Sequence, residues 1–215
     1  MEKKEETGLD DAYALRTPED SRRLYRDWAE TYDESFAGAH GYVYPERLAA
    51  LFAAQPGAGG ATPALDIGCG TGLVGVALRA ALPSFELDGV DISAEMLAAA
   101  RAKAVYRNLI EADLTGVLPF EDSAYGGFIS AGTFTHGHVG PEALNELVRI
   151  ARPGALFVLG VNAEVFEAGF GALLQAFENA GDIGALRIEE GRIYAESAKH
   201  EHRTDRFRAV IFTRR

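Results

Sequence analysis

At 215 residues, 47% hydrophobic and 25% charged, the chain is long enough for one well-cored domain and short for two. A formal net charge of −11 opposes phosphate backbones and argues against a nucleic-acid partner. The single cysteine, Cys69, excludes an intrachain disulfide and a cysteine-rich metal site, and no apolar run approaches the roughly 18 residues of a membrane span.

Residues 1–16 are dominated by Lys, Glu and Asp and read as a flexible, solvated tail at the start of a single domain spanning 1–215. They lack the apolar stretch of a secretory signal, so the expected compartment is the cytoplasm. Thr17-Pro18-Glu19-Asp20 then offers an N-cap with proline at the first helical position. Leu24, Tyr25, Trp28 and Tyr32 follow at helical spacing, and a second helix is predicted over residues 45–54, so 17–55 form a helical N-terminal cap. The segment "QPGAGGATP" punctuates the chain before the main pattern begins.

That pattern alternates. Apolar β-type runs near 64–67, 85–91, 107–111, 126–131 and 155–161 are separated by helical segments near 72–81, 94–104, 141–151 and 164–180. Such alternation predicts parallel βαβ units in a sheet covered on both faces. The last stretches, "ALRIEEGRIYA" and "RFRAVIFTR", alternate at period two around the polar connector "ESAKHEHRTD" and predict an antiparallel pair completing the sheet.

Gly68, Gly70 and Gly72 fall between the first strand and the first crossover helix, where open α/β sheets bind ligands at their carboxyl edge. Bare backbone there turns N–H groups and a helix N-terminus toward a ligand. Gly70 to Gly75 also fits the dinucleotide pattern G-x-G-x-x-G, and Asp91 follows near the usual spacing of about 20 residues. A carboxylate at that strand end accepts from vicinal ribose hydroxyls, which identifies a ribose and leaves nicotinamide and adenosyl cofactors both open.

The whole set separates them. "LDIGCGTG", "VDISAEML", "EADL", "ISAGTFTH" and "RPGALFVLG", in this order at successive strand ends, resemble the class I S-adenosylmethionine-dependent methyltransferases over residues 20–215. "LYRDWAETYDESF" before the loop is similar to the small-molecule type, in particular to the Williams–Beuren-syndrome-region methyltransferase-like group. The resemblance implies an α/β, Rossmann-like fold: a mostly parallel seven-stranded sheet with an antiparallel C-terminal strand and helices on both faces. It also implies S-adenosylmethionine as cofactor, S-adenosylhomocysteine as product, and methyl transfer to O, N or C of a small-molecule acceptor.

By the same resemblance, Asp66 faces the methionine ammonium directly or through water, and Gly68, Cys69 and Gly70 line the methionyl and ribose portion. Asp91 takes the ribose hydroxyls. Ile92 and Met96 cover one adenine face, Leu114 the other, and Asp113 accepts from adenine N6. The backbone at Ala131 meets the amino-acid moiety. Tyr25, Trp28 and Tyr32 suit the carboxylate and the sulfonium by hydroxyl and cation–π contact, although their helical spacing serves core packing equally well.

Displacement at a sulfonium needs alignment and a dry site, and a base only for a protonated acceptor. His136, beyond the fourth strand, is the candidate base, with His138 a weaker one. No metal is expected from the His136/His138 or His200/His202 pairs, the second of which is read as solvated. The segment Phe36 to Tyr44 with Phe134, Phe166 and Phe170 is expected to form the acceptor pocket, with "GAHGY" as a lid. Two rival readings remain at this point. One is a non-catalytic cofactor-binding regulatory protein; the other is an NAD-dependent oxidoreductase, for which a Tyr-x-x-x-Lys pair is missing in the relevant region.

Overall fold

The computed structural model describes residues 18–29, 31–135 and 139–215. The tail at 1–16 and the candidate bases His136 and His138 lie outside them. Helix α1 (Pro18–Trp28) and a π-helical turn (Asp33–Gly38) lead into α2 (Tyr44–Ala53), with Pro45 in its first turn. The alternating unit then runs β1 (Ala64–Ile67), α3 (Leu73–Ala81), β2 (Leu87–Asp91), α4 (Ala94–Ala102) and β3 (Leu109–Glu111). It continues through β4 (Tyr125–Phe134), α5 (Ala143–Ile150), β5 (Ala151–Asn162), α6 (Gly171–Ala180), β6 (Ile183–Arg192) and β7 (Arg206–Arg214).

The seven strands pair in the order β3-β2-β1-β4-β5-β7-β6, parallel throughout except for β7, which runs antiparallel to both its neighbours. The chain order reverses between β1 and β4, and this switch point opens a crevice at the carboxyl ends of the strands.

Alternation along each strand divides the core into two layers. Val158 and Ile211 face the layer with α2 and α3, where Leu48, Phe52 and Leu78 are fully buried. Phe157, Val210 and Phe212 face the layer with α5 and α6, where Leu144, Leu147 and Leu174 are buried. Phe128, Phe157 and Phe212 stack across β4, β5 and β7 at centroid spacings of 4.2 and 4.3 Å, fixing the antiparallel strand to the parallel part.

Differences from the sequence reading have local causes. The continuous helix predicted over 164–180 is interrupted, because Gly169 (φ 151°) leaves the helical region within a π-helical turn at Phe166–Phe170. The strand predicted at 126–131 extends to Phe134 through an irregularity between Ser130 and Phe134 that includes Gly132 (φ 84°).

Candidate functional site

The bare glycine loop is built for several different neighbours. The Ile67 carbonyl at the tip of β1 accepts from the hydroxyls of Ser130 and Thr133, each at 2.8 Å, so the loop leaves the strand against β4. A Cβ on Gly68 would sit 2.1 Å from Thr133 Oγ1, and the φ of +63° compounds the exclusion. Gly72, Gly75 and Gly89 all make room for one ring, Tyr106, whose atoms lie 2.5 to 3.1 Å from the Cβ positions that these residues lack. Gly70 differs. Nothing lies within 4 Å of its missing Cβ, and it borders the cavity at the carboxyl edge of the sheet. The third glycine of the G-x-G-x-x-G pattern therefore accommodates an internal phenol, while the first is open to a ligand.

Asp91, at the tip of β2, also borders this cavity. Its Oδ2 accepts from the Gly70 N–H at 2.8 Å and its Oδ1 from the Ser93 N–H at 2.9 Å, which ties the glycine loop to the start of α4. The Ile92 backbone also bears on this carboxylate, which retains acceptor capacity beyond these donors. Burial raises the Asp91 pKa against the opposing pull of these backbone donors. Ser93 caps α4 by accepting from the Met96 N–H. Ile92, Met96, Asp113 and Leu114 continue the wall on this side, and Gly68, Cys69 and Ala131 line its middle. Burial pushes the Cys69 thiol up, so it stays protonated.

Asp66 lacks the direct exposure to the cavity that is one of the two routes expected for it. It is completely buried and is not part of the cavity wall. Its Oδ2 accepts from the Tyr106 hydroxyl at 2.7 Å, and the Gly75 N–H donates to that hydroxyl at 3.2 Å. Oδ1 has no hydrogen-bond partner among the described residues. Burial pushes the Asp66 pKa up to about 7, against the lowering effect of the Tyr106 bond.

The cap covers the cavity with aromatic side chains. Tyr25 and Tyr32 line it together with Phe36, Tyr42 and Tyr44. Trp28, expected beside them, packs instead into the apolar layer at 2% exposure, where its indole N–H donates to Ser35 Oγ at 2.9 Å. On a helix lying over a crevice only part of the stripe faces inward, and at this helix end the indole is the residue turned to the core. Tyr32 stacks on Phe36 at 4.9 Å, and Phe36 meets Tyr42 edge-on at 5.1 Å. Burial raises the pKa of Tyr25, Tyr32 and Tyr42, so their hydroxyls remain protonated. Polar ties fasten the cap. Lys103 Nζ lies 2.6 Å from Asp33 Oδ2 and donates to the Thr71 carbonyl at 2.5 Å, while Thr71 Oγ1 donates to Asp33 Oδ1 at 2.5 Å. Arg22 reaches Asp113 at 3.4 Å.

Two contributors at the far end of the cavity escaped the sequence reading. The segment after β6 pairs with the chain before α2: Tyr42 bridges Tyr194, and Ala195 N–H donates to the Gly41 carbonyl at 2.8 Å. This brings Ile193 and Tyr194 into the wall. Asn162, the last residue of β5, also lines it. Of the phenylalanines expected there, Phe36 and Phe134 line the cavity, whereas Phe170 is buried behind Phe134 at a centroid distance of 5.1 Å and Phe166 packs in the same apolar layer. His200, read as solvated, packs edge-on against Tyr194 at 4.4 Å, with its Nε2 3.2 Å from the His40 carbonyl oxygen.

An open sheet with a crevice at its switch point, a strand-tip carboxylate and an exposed Gly70 backbone defines a nucleoside-binding α/β protein. The donor set fits an adenosyl sulfonium: Asp91 retains lone pairs for hydroxyls, Gly70 leaves an unfilled space, and aromatic faces cover the centre. Residues 64–154 match the family model of a methyltransferase domain. The chain is 34% identical over 166 residues to human methyltransferase-like protein 27, covering 74% of this chain and 66% of that relative. It is 37% identical over 99 residues to the demethylmenaquinone methyltransferase of Thermus thermophilus, covering 44% of each. A methyltransferase structure from Aquifex aeolicus shares the fold, with a TM-score of 0.58 at 17% identity over 87% of this chain and 97% of that one. The matched regions thus span no more than about two thirds of these curated relatives' lengths. The chain belongs to the class I S-adenosylmethionine-dependent methyltransferases. Among its described residues, no helix is long and apolar enough to cross a membrane.

Proposed function

We propose that this chain transfers a methyl group from S-adenosylmethionine to O, N or C of a small-molecule acceptor. The observation that carries the reading is one continuous cavity, running from Asp91 and Gly70 at one end to an aromatic chamber at the other. When bound, the cofactor supplies a methyl group on a positively charged sulfur, already activated for displacement.

The residues divide the work of holding and orienting. Asp91 accepts from the ribose hydroxyls, Ile92 and Met96 cover one adenine face, Leu114 covers the other, and Asp113 accepts from the adenine amino group. The backbone at Gly68, Cys69, Gly70 and Ala131 receives the amino-acid end. Tyr25 and Tyr32 present ring faces and protonated hydroxyls to the sulfonium and carboxylate. Asp66, buried on the Tyr106 side of the loop, acts on the ammonium only through its field and its support of the loop. The cap excludes water and aligns the two reactants, the main contributions that a displacement at carbon asks of a protein. His136 stays the proposed base for an acceptor that arrives with its proton.

Titration calorimetry with S-adenosylhomocysteine and NAD in parallel tests the reading. Binding of the first and not of the second is expected. NAD binding, or absence of S-adenosylhomocysteine binding, overturns it.

A further inference from the structure

The end of the cavity remote from Asp91 carries its own chemistry. Asn162 closes β5, and its side-chain Oδ1 accepts from the backbone N–H groups of Glu164 at 2.8 Å and Val165 at 3.4 Å, capping the helical turn that follows. Those two donors fix which end of the amide is oxygen. Asn162 also lines the cavity, and with Oδ1 committed, the polar group it has left is the Nδ2 amide, which makes no hydrogen bond within the described residues. Around it stand aromatic walls held by their own contacts. Tyr42 lies 5.9 Å from Tyr194 and 6.0 Å from Tyr44, and Tyr44 stacks on Phe207 at 4.3 Å. The Tyr44 hydroxyl is engaged by the Gly132 backbone N–H.

The described residues at this end carry no charge. Among the described lining residues there is no Lys, Arg or His, and the two carboxylates, Asp91 and Asp113, belong to the β2 and β3 side. Asp91 and Asn162 sit on strands three steps apart in the sheet, roughly 14 Å at the usual strand spacing. Among the described residues an anion here finds amide and hydroxyl donors without a countercharge, and an unpaired charge in such surroundings is strongly disfavoured. A cation finds no carboxylate among the described lining residues of this end, and it meets the positive sulfur that the cofactor brings to the neighbouring subsite.

Resting on the methyl-transfer reading, we propose that the acceptor is an uncharged, ring-bearing molecule whose carbonyl or hydroxyl oxygen is received by Asn162 Nδ2 between the tyrosines. Asn162 is then the residue that orients the acceptor, and its role separates from its structural duty. Asp is as good an N-cap as Asn, so Asn162→Asp keeps the helical turn while replacing the donor with an anionic acceptor.

The test uses the full chain saturated with S-adenosylhomocysteine and three matched probes: 2-naphthol, 2-naphthoate and 2-naphthylmethylammonium. Dissociation constants come from ligand-observed NMR. In the wild type, 2-naphthol is expected to bind about tenfold or more tightly than either charged probe. In N162D, S-adenosylhomocysteine affinity and Tm stay unchanged, 2-naphthol weakens by about fivefold or more, and the ammonium probe gains. Equal or tighter wild-type binding of a charged probe overturns the inference. So does unchanged naphthol binding in N162D, or no binding of any probe to the S-adenosylhomocysteine-loaded protein. Failure of S-adenosylhomocysteine itself to bind overturns the methyl-transfer reading instead, and the inference with it.

Discussion

The floor of the cavity and its roof are held by different forces. The floor, at the tips of β1, β2 and β4, is a lattice of hydrogen bonds: hydroxyls of Ser130 and Thr133 on the Ile67 carbonyl, backbone amides on Asp91, and the Tyr106 hydroxyl between Gly75 and Asp66. The roof is mostly ring against ring, from Tyr32 through Phe36 and Tyr42 to Tyr194. Hydrogen bonds fix atoms to tenths of an ångström, whereas ring contacts tolerate re-packing. The part of the cavity proposed to hold the cofactor's ribose is thus the stiff one, and the aromatic part, shared in the proposal between the sulfonium and the acceptor, is adaptable.

Substitution within the floor gives the largest expected effects. Gly68→Ala drives a methyl into Thr133 at a left-handed φ, and a loss of about 3 kcal/mol or more is expected in urea unfolding. Gly70→Ala meets no protein atom, so it should cost only about 1–2 kcal/mol of stability while weakening S-adenosylhomocysteine binding tenfold or more, roughly. Equal behaviour of the two variants breaks the distinction between a packed and an open glycine. Next in size, Asp91→Ala removes the ribose acceptor and the tie to the Gly70 amide. Calorimetry should show S-adenosylhomocysteine affinity down by roughly 100-fold.

Tyr106→Phe deletes a hydroxyl that serves two buried partners and is expected to cost about 1–3 kcal/mol by denaturant melt, with the ring still filling the space beside Gly72 and Gly75. The smallest effect is a pH slope. With Asp66 at about 7 when folded and near the ordinary 3.8 when unfolded, the native state holds a proton that the unfolded chain has lost between those values. Stability therefore falls as pH rises through this window and is flat in this respect above it. Asp66→Asn should flatten the Tm-versus-pH curve between pH 5 and 8, measured by calorimetry, relative to wild type; parallel curves would show that Asp66 is not the group responsible.

The floor was legible in the sequence because its chemistry is local. Gly68, Gly70 and Asp91 stand within about one βα unit and report directly on a turn and a strand tip. Even there, the motif concealed a reason: two of its glycines, Gly72 and Gly75, answer to Tyr106, which lies 31 residues beyond Gly75 and carries no signature of its own. The roof was less legible because it is assembled across distance. Tyr194 reaches the cavity only because the chain after β6 pairs with the chain before α2, and hydrophobic periodicity contains no record of that pairing. Trp28 shows the converse, since helical spacing puts it in the same stripe as Tyr25 and Tyr32 without saying which of the three turns inward. Asn162 was the most available of the missed residues: an Asn at a strand end followed by Ala-Glu-Val is an N-cap pattern, and a cap whose other amide end faces a cavity is a directed donor.

Thr71 belongs to the glycine loop and Asp33 to the cap, and Lys103 grips both. Door and threshold consequently share one hinge pin. A change at any of these three positions alters the seating of the roof and the set of the loop together, so cofactor retention and access for the acceptor are inherited as a coupled pair and cannot be adjusted separately from this corner of the molecule.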